Sequence, residues 1–457
     1  MNRLQMSYPD HARAIWRLGL PLVGGHLAQF AVGLTDTVML GWYSVEALAA
    51  VVLGSGFFFV LFIFGSGFAI AVMPMVASAD AAGDEVGLRR VTRMGLWLSV
   101  GFAFLALPLF WFSGALLLGL GQTPALAEVA QGYLRIAWLG LLPALLVMVL
   151  KSYLAALERT RVVFWVTVIG AVANGLANYA LIFGNWGAPE LGVTGAAIAS
   201  IVVHAVSMAG VVLYAVLVLP EHEIFRRLWR PDWVELGRVF RLGVPIGITN
   251  LAEVGLFAAS SIMVGWLGAV PLAAHGIALN LASVAFMVHL GLSNAATVRA
   301  GNAIGRRDAE HMARGARAIM AMSLLVALAT VAVFVAVPEV LVGLFIAPDE
   351  PARAAILATG AAFMIVAALF QVVDGAQVMA LGLLRGALDT RVPMVIAAIS
   401  YWGLGVPSSY VLGFVFGLEG VGVWLGMVVG LSFAGVLLMW RFWGPTLRSL
   451  RARFGAH

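Results

Sequence analysis

The sequence predicts an all-α polytopic membrane protein whose twelve transmembrane helices form two six-helix bundles. Three observations carry this. First, 62% of the 457 residues are hydrophobic, 11% are charged and the mean hydropathy is +1.00, far from the balance of a water-soluble globule. Second, apolar runs of about 20 residues or more, enough to cross roughly 30 Å of hydrocarbon as helix, recur along the whole chain; strands of a membrane barrel would instead be about ten residues of alternating polarity. Third, a gapless shift of 224 residues lays RLGLP (17–21) on RLGVP (241–245), MLGW (39–42) on MVGW (263–266), LAA (48–50) on LAA (272–274) and Asp84 on Asp308. Farther along, TRV (160–162) matches TRV (390–392) at a shift of 230. Six spans per repeat is an even number, so both halves enter the membrane in the same direction, and a pseudo-two-fold axis along the membrane normal is expected to relate them.

The polar opening MNRLQMSYPDHAR is followed at once by a full-length span, 14–41, so no cleavable signal peptide is expected. This first span holds Gln29 and Asp36 and ends beside Trp42, which marks the outer interface. Spans 46–76, 93–117 and 128–150 follow. The fifth, 162–184, contains ANGLANYALIFG, where a spacing of four stacks Asn174 and Asn178 on one face. The sixth, 193–218, begins at LGVTGAA with Thr194. Residues 219–239 form the one long polar connection and read as an amphipathic linker on the membrane surface, dividing an N-lobe (1–218) from a C-lobe (240–457). The seventh span, 240–266, holds Glu253 and ends at Trp266, the repeat partner of Trp42. Spans 271–300 and 314–338 precede the tenth, 353–383, with Gln371 and Asp374; 390–414 and 418–442 complete the set.

The net charge of +5 and pI near 9.9 could indicate nucleic-acid binding. Placement says otherwise: every Lys and Arg except Arg135 and Arg353 lies at or near the same-side end of a span, around the start of the first or around the junction that follows an even-numbered one. The positive-inside rule then puts both termini in the cytoplasm. Without cysteine there is no disulfide or thiol nucleophile. No P-loop, HExxH or GxSxG motif occurs, which argues against ATP drive and against an enzyme. Energy must come from an ion gradient or from the solute's own gradient.

Asp36, Glu253 and Asp374 are the acids that fall inside spans, away from their ends. A carboxylate in hydrocarbon costs several kcal/mol, so each must face a cavity, find a partner or carry a proton. The bland alternative is a fixed polar contact between helices. Under the repeat, Glu253 lies opposite Gln29, Asp36 opposite Ser260 and Asp374 opposite Ala144, so acid placement is not duplicated. Counting back from Trp42 and Trp266 at 1.5 Å per residue puts Asp36 about 9 Å below the outer boundary and Glu253 near the midplane. Asp36 with Asn174, Asn178 and Thr194 could supply oxygens to Na⁺ or hydrogen-bond a protonated carboxyl; Gln29 and Gln371 could support the acids. His26, His204, His275 and His289 read as packing residues. Methionines and aromatics lining a cavity would suit varied aromatic cations.

The RLGLP opening, TDTVMLGW in the first span, NLAEVGLF in the seventh, FQVVDGAQVMALGLLRGALDTRVPM across the tenth and eleventh, and NxxxN in the fifth together resemble the multidrug and toxic compound extrusion (MATE) family, within it the bacterial NorM branch. The resemblance covers residues 10–445. It implies V-shaped lobes around a central cavity, alternating between outward- and inward-facing states and exporting organic cations in exchange for Na⁺ or H⁺ in a bacterial inner membrane. Asp36 takes the place of the family's first-helix acid, with Asn174, Asn178 and Thr194 as N-lobe partners that would hold Na⁺ under Na⁺ coupling. Glu253 and Asp374 match the C-lobe acids. Phe370 departs from relatives that carry a tyrosine one turn before the tenth-helix acid. No cofactor beyond the coupling ion, no nucleic acid and no ATP are implied, and a functional monomer is the simplest assembly. A flippase of lipid-linked precursors is the alternative; it would line its cavity with arginines or lysines, which this sequence keeps out of its spans. A channel or sensor lacks a pore loop and soluble domain here, and a membrane enzyme lacks a nucleophile and base.

Overall fold

The computed structural model describes residues 6–455, with twelve long helices and no strand among the described residues. The helices are α1 (Tyr8–Tyr43), α2 (Val45–Ala82), α3 (Glu85–Trp111), α4 (Pro124–Ala156), α5 (Thr160–Phe183), α6 (Gly192–Val218), α7 (Trp233–Gly265), α8 (Ala269–Gly305), α9 (Ala309–Ala336), α10 (Arg353–Gly386), α11 (Arg391–Val415) and α12 (Glu419–Gly455). Each expected span coincides with one of them. Short helices Ser113–Gly119 and Pro338–Gly343 follow α3 and α9, at corresponding places in the two halves.

Several helices outrun their apolar stretches. At 36, 38 and 37 residues, α1, α2 and α8 are about 54 to 57 Å long, well beyond the hydrocarbon thickness. This corrects one expectation, because Lys151, Arg299 and Arg385 lie within α4, α8 and α10 rather than beyond them. Protein rather than lipid surrounds these final turns: Tyr153, Leu154, Ala155 and Ala156 are buried, and each cation finds a polar partner. Lys151 Nζ donates to Thr167 Oγ1 at 2.8 Å, and Arg385 donates to Asn250 Oδ1 at 2.7 Å. Arg299 reaches His11 Nδ1 at 2.9 Å and His311 Nε2 at 3.2 Å.

The repeat has local structural causes. Asp84 and Asp308, equivalent under the 224 shift, are the N-caps of α3 and α9; their Oδ1 atoms accept from Gly87 N and His311 N at 2.8 Å. Each cap satisfies an orphan donor of the first turn. The preceding residues, Gly83 and Arg307, both have left-handed backbone, φ 72° and 53°.

The chain divides into two compact units, one uniting the chain up to Val23 with Ile248 onward, the other comprising Gly24–Gly247. Both divisions fall inside helices, two residues past Pro21 in α1 and two past Pro245 in α7, again equivalent under the repeat. Proline lacks an N–H and crowds the carbonyl four residues back, so each is a point of weakness in its helix. Leu40, Phe110, Leu134, Leu141 and Ile182 pack the core of the Gly24–Gly247 unit. In the other unit α8 and α10 meet through small residues: Ser293 Oγ donates to Val378 O at 2.8 Å and Thr297 Oγ1 to Gly382 O at 2.9 Å. Hydroxyls bonded across closely approaching backbones are the usual glue of membrane helices.

Residues 219–232 form no long helix. A 3₁₀ turn, Pro220–His222, and further turns lead to α7, and α3 satisfies their carbonyls. Arg89 Nε donates to His222 O, Arg93 to Glu223 O and Ile224 O, and Trp97 Nε1 to Leu228 O, all at 2.7 Å.

Candidate functional site

In the Gly24–Gly247 unit, α1 and α5 bring together residues distant in sequence. Asn178 Nδ2 donates to Asp36 Oδ1 at 2.5 Å and to Asn174 Oδ1 at 3.3 Å. Both asparagines are fully buried and Asp36 is half-buried. The threonines flanking Asp36 turn back on their own helix, Thr35 Oγ1 to Ala31 O and Thr37 Oγ1 to Gly33 O, each at 2.9 Å. Their hydroxyls are thereby consumed locally. Asn178 Oδ1 and Asn174 Nδ2 have no hydrogen-bond partner among the described residues. A buried acceptor without a donor costs about 1–3 kcal/mol. Either a cation, which the two kinds of oxygen would ligate, or a proton on Asp36, which Asn178 Oδ1 could accept, would relieve that cost.

Thr194 stands in the first turn of α6, half-buried, and its hydroxyl makes no hydrogen bond to Asp36 among the described residues. Gln29, two turns before Asp36, is exposed. Tyr133 on α4, which carries no mark in the sequence, is 7% exposed and lies in the field of Asp36. An aromatic in an apolar span gives no sign in the sequence that it neighbours an acid.

The other unit gathers α7, α10 and α11 around Glu253 and Asp374, 9% and 1% exposed. Glu253 Oε1 and both oxygens of Asp374 lack hydrogen-bond partners among the described residues. Gln371, Asp374 and Gln377 follow at intervals of three along one face of α10. Gln371 Nε2 donates to Ala282 O at 3.0 Å, and Gln377 Nε2 to Tyr401 Oη at 2.6 Å. Glu253, Asp374, Tyr401 and Arg385 share one electrostatic neighbourhood. Glu253 lies in the field of the Arg385 guanidinium and Asp374 in that of Glu253, so the pair of carboxylates carries negative charge that a cation or proton can neutralise.

Phe370 packs edge-on against Phe257 and Trp424, with centroids 5.9 and 5.7 Å away. Tyr401 stands in a π-helical stretch, Ile399–Gly405, a distortion frequent at functional sites. Hydropathy cannot reveal it, although the glycines of ISYWGLG were visible. Gln377 was legible only as the next residue on the face of Asp374. Histidines mostly pack: His275 meets Ser261 Oγ at 3.0 Å and the edge of Trp424, while His289 lies on Gly375, where a Cβ would come within 2.4 Å of its ring. His26 and His204 lie in the field of Lys151.

A family model described as MatE matches residues 21–180 and 245–411, segments that begin on Pro21 and Pro245. The probable multidrug resistance protein NorM of Agrobacterium fabrum is 47% identical over 438 residues, 95% of this chain and 94% of its own. Its counterpart in Rhizobium meliloti is 44% identical over 439 residues, again 95% and 94%. A crystal structure of a MATE in the bent conformation matches with a TM-score of 0.86 at 20% identity, covering 98% of this chain and 97% of the other, a likeness of fold alone. With both repeats matched and relatives above 40% identity along nearly the whole length, the chain belongs to the MatE family of membrane transporters and is not an enzyme.

Proposed function

We propose that the protein is a secondary active multidrug efflux antiporter, exporting organic cations in exchange for Na⁺ or H⁺ by alternating access. The observation that carries the reading is that both units bury carboxylates beside polar atoms with unfilled hydrogen-bonding capacity, Asp36 with Asn178 Oδ1 in one and Glu253 with Asp374 in the other. Asp36, Glu253 and Asp374 couple ion to substrate, Asn174 and Asn178 complete the first site, and Thr194, Gln29 and Gln371 assist when the coupling ion is bound. A lipophilic cation and the coupling ion compete for the same carboxylates, so binding one favours release of the other. The drive suffices: one charge moved through 100 mV releases about 2.3 kcal/mol, roughly a fifty-fold concentration ratio.

The names of the NorM relatives and the lipophilic chain support this reading. We place the protein in a bacterial inner membrane as a functional monomer, with cytoplasmic termini and lobes at 1–218 and 240–457 joined by 219–239. Ethidium efflux from proteoliposomes, with Na⁺ and pH gradients imposed separately, tests it. One gradient alone should drive export and so identify the coupling ion. Export driven by neither would overturn the antiporter reading and bring lipid-linked substrates forward.

A further inference from the structure

Where the start of α3 faces the segment leading into α7 there is a cavity of about 440 Å³ that the transport reading does not use. Arg89, Arg90 and Arg93 line it from α3, and Arg226, Arg227 and Arg230 from the linker, against two acids, Glu223 and Asp232. Six cations and two anions leave four positive charges in excess.

The arginines divide by what they already hold. Arg89 spends its guanidinium on His222 O, Glu221 O and Glu223 Oε2, and Arg93 on Glu223 O and Ile224 O, so these two fasten the linker to α3. Arg226 meets Glu223 Oε1 at 2.5 Å, and Arg90 lies 3.6 Å from Asp232 Oδ2. The side chains of Arg227 and Arg230 are exposed, with no hydrogen bond or ion pair recorded among the described residues. Two unengaged guanidiniums at the mouth of a cavity carrying excess positive charge are suited to bidentate recognition of phosphate.

Two further observations decide which phosphate. The cavity lies at the start of α3 and just before the start of α7, two helices long and apolar enough to cross a membrane. Beside it stand Trp229 and Trp233, 73% and 70% exposed, the residue type that settles at the lipid–water interface. We propose that this cavity is a binding site for the phosphate headgroup of an anionic phospholipid, in the leaflet on the linker's side, which is the cytoplasmic one under the topology proposed above. Basic clusters placed immediately beside membrane helices recognise anionic lipid in this way. A lipid seated there bridges Arg227 and Arg230 to α3 and reinforces the bonds that already hold the linker.

The test is native mass spectrometry of the full-length protein in mild detergent, titrated with phosphatidylglycerol, with zwitterionic phosphatidylcholine, and with phosphatidylglycerol in the presence of millimolar inorganic phosphate. The proposal expects preferential retention of phosphatidylglycerol that inorganic phosphate does not displace. Arg227→Gln with Arg230→Gln should weaken that binding about thirty-fold, taking about 1 kcal/mol per arginine. Arg159→Gln with Arg161→Gln, exposed arginines at another helix end, should leave it unchanged. Equal binding of the two lipids, or unaltered binding by the Arg227/Arg230 variant, would overturn the site; displacement by inorganic phosphate would overturn the lipid as its ligand. Should the double variant misfold, Arg230→Gln alone must lose affinity, and Arg230→Lys, which keeps the charge but not the two-pronged guanidinium, must fall between it and the parent. The readout involves no transport, so its failure would leave the antiporter reading untouched.

Discussion

At Asp36 the carboxylate accepts from one amide whose own oxygen is unpartnered among the described residues. Asp36→Asn keeps the size of the side chain and removes its charge. It should abolish ethidium efflux in proteoliposomes while the purified protein remains monodisperse on size exclusion; parental efflux from this variant would refute the assignment. In the other unit Tyr401 supplies the acceptor for the buried Gln377 amide. Tyr401→Phe strands that donor and should cost about 1–3 kcal/mol, read as a lower midpoint of thermal unfolding in detergent. Part of this was legible: each of three acids inside apolar spans needs a cavity, a partner or a proton, and four-residue spacing puts Asn174 beside Asn178. That Tyr401 meets Gln377 was not, because nothing along the chain couples residues on separate helices, 24 positions apart.

The helices themselves carry two predictions. Asp84 and Asp308 cap α3 and α9 by the same bond, so Asp84→Ala and Asp308→Ala should each destabilise the protein by about 1 kcal/mol, measured by thermal unfolding in detergent. The losses should add in the double variant, since the caps share no partner. Between α8 and α10, a Cβ at Gly386 would lie 2.4 Å from Ala300 Cβ and 2.7 Å from Thr297 O. Backbone is the obstacle there and cannot rotate away, so Gly386→Ala should cost about 1–3 kcal/mol in the same measurement. The spacing of Gly382 and Gly386 was visible in the sequence. Its partner was not, since a small-residue face fits any helix that presents another.

For the molecule as a whole, the absence of cysteine makes topology directly testable. In intact cells a membrane-impermeant maleimide should label Trp186→Cys, on the exposed turn between α5 and α6, and should label Glu221→Cys in the linker only after permeabilisation. Labelling with the opposite polarity would invert the proposed orientation. The number of membrane helices, the duplication and the acids needing explanation were determined by sequence alone, because hydropathy, periodicity and repeat register are properties read along the chain. Only the tertiary structure decided that the bounds of the two compact units fall inside α1 and α7, two residues past Pro21 and Pro245, and that Lys151, Arg299 and Arg385 are held within helices. It also decided that the linker is tied to α3 by arginines. The physical reason is common to all three: whether a buried polar group is satisfied depends on side chains brought to it by other helices, and helix packing, not local sequence, chooses those neighbours.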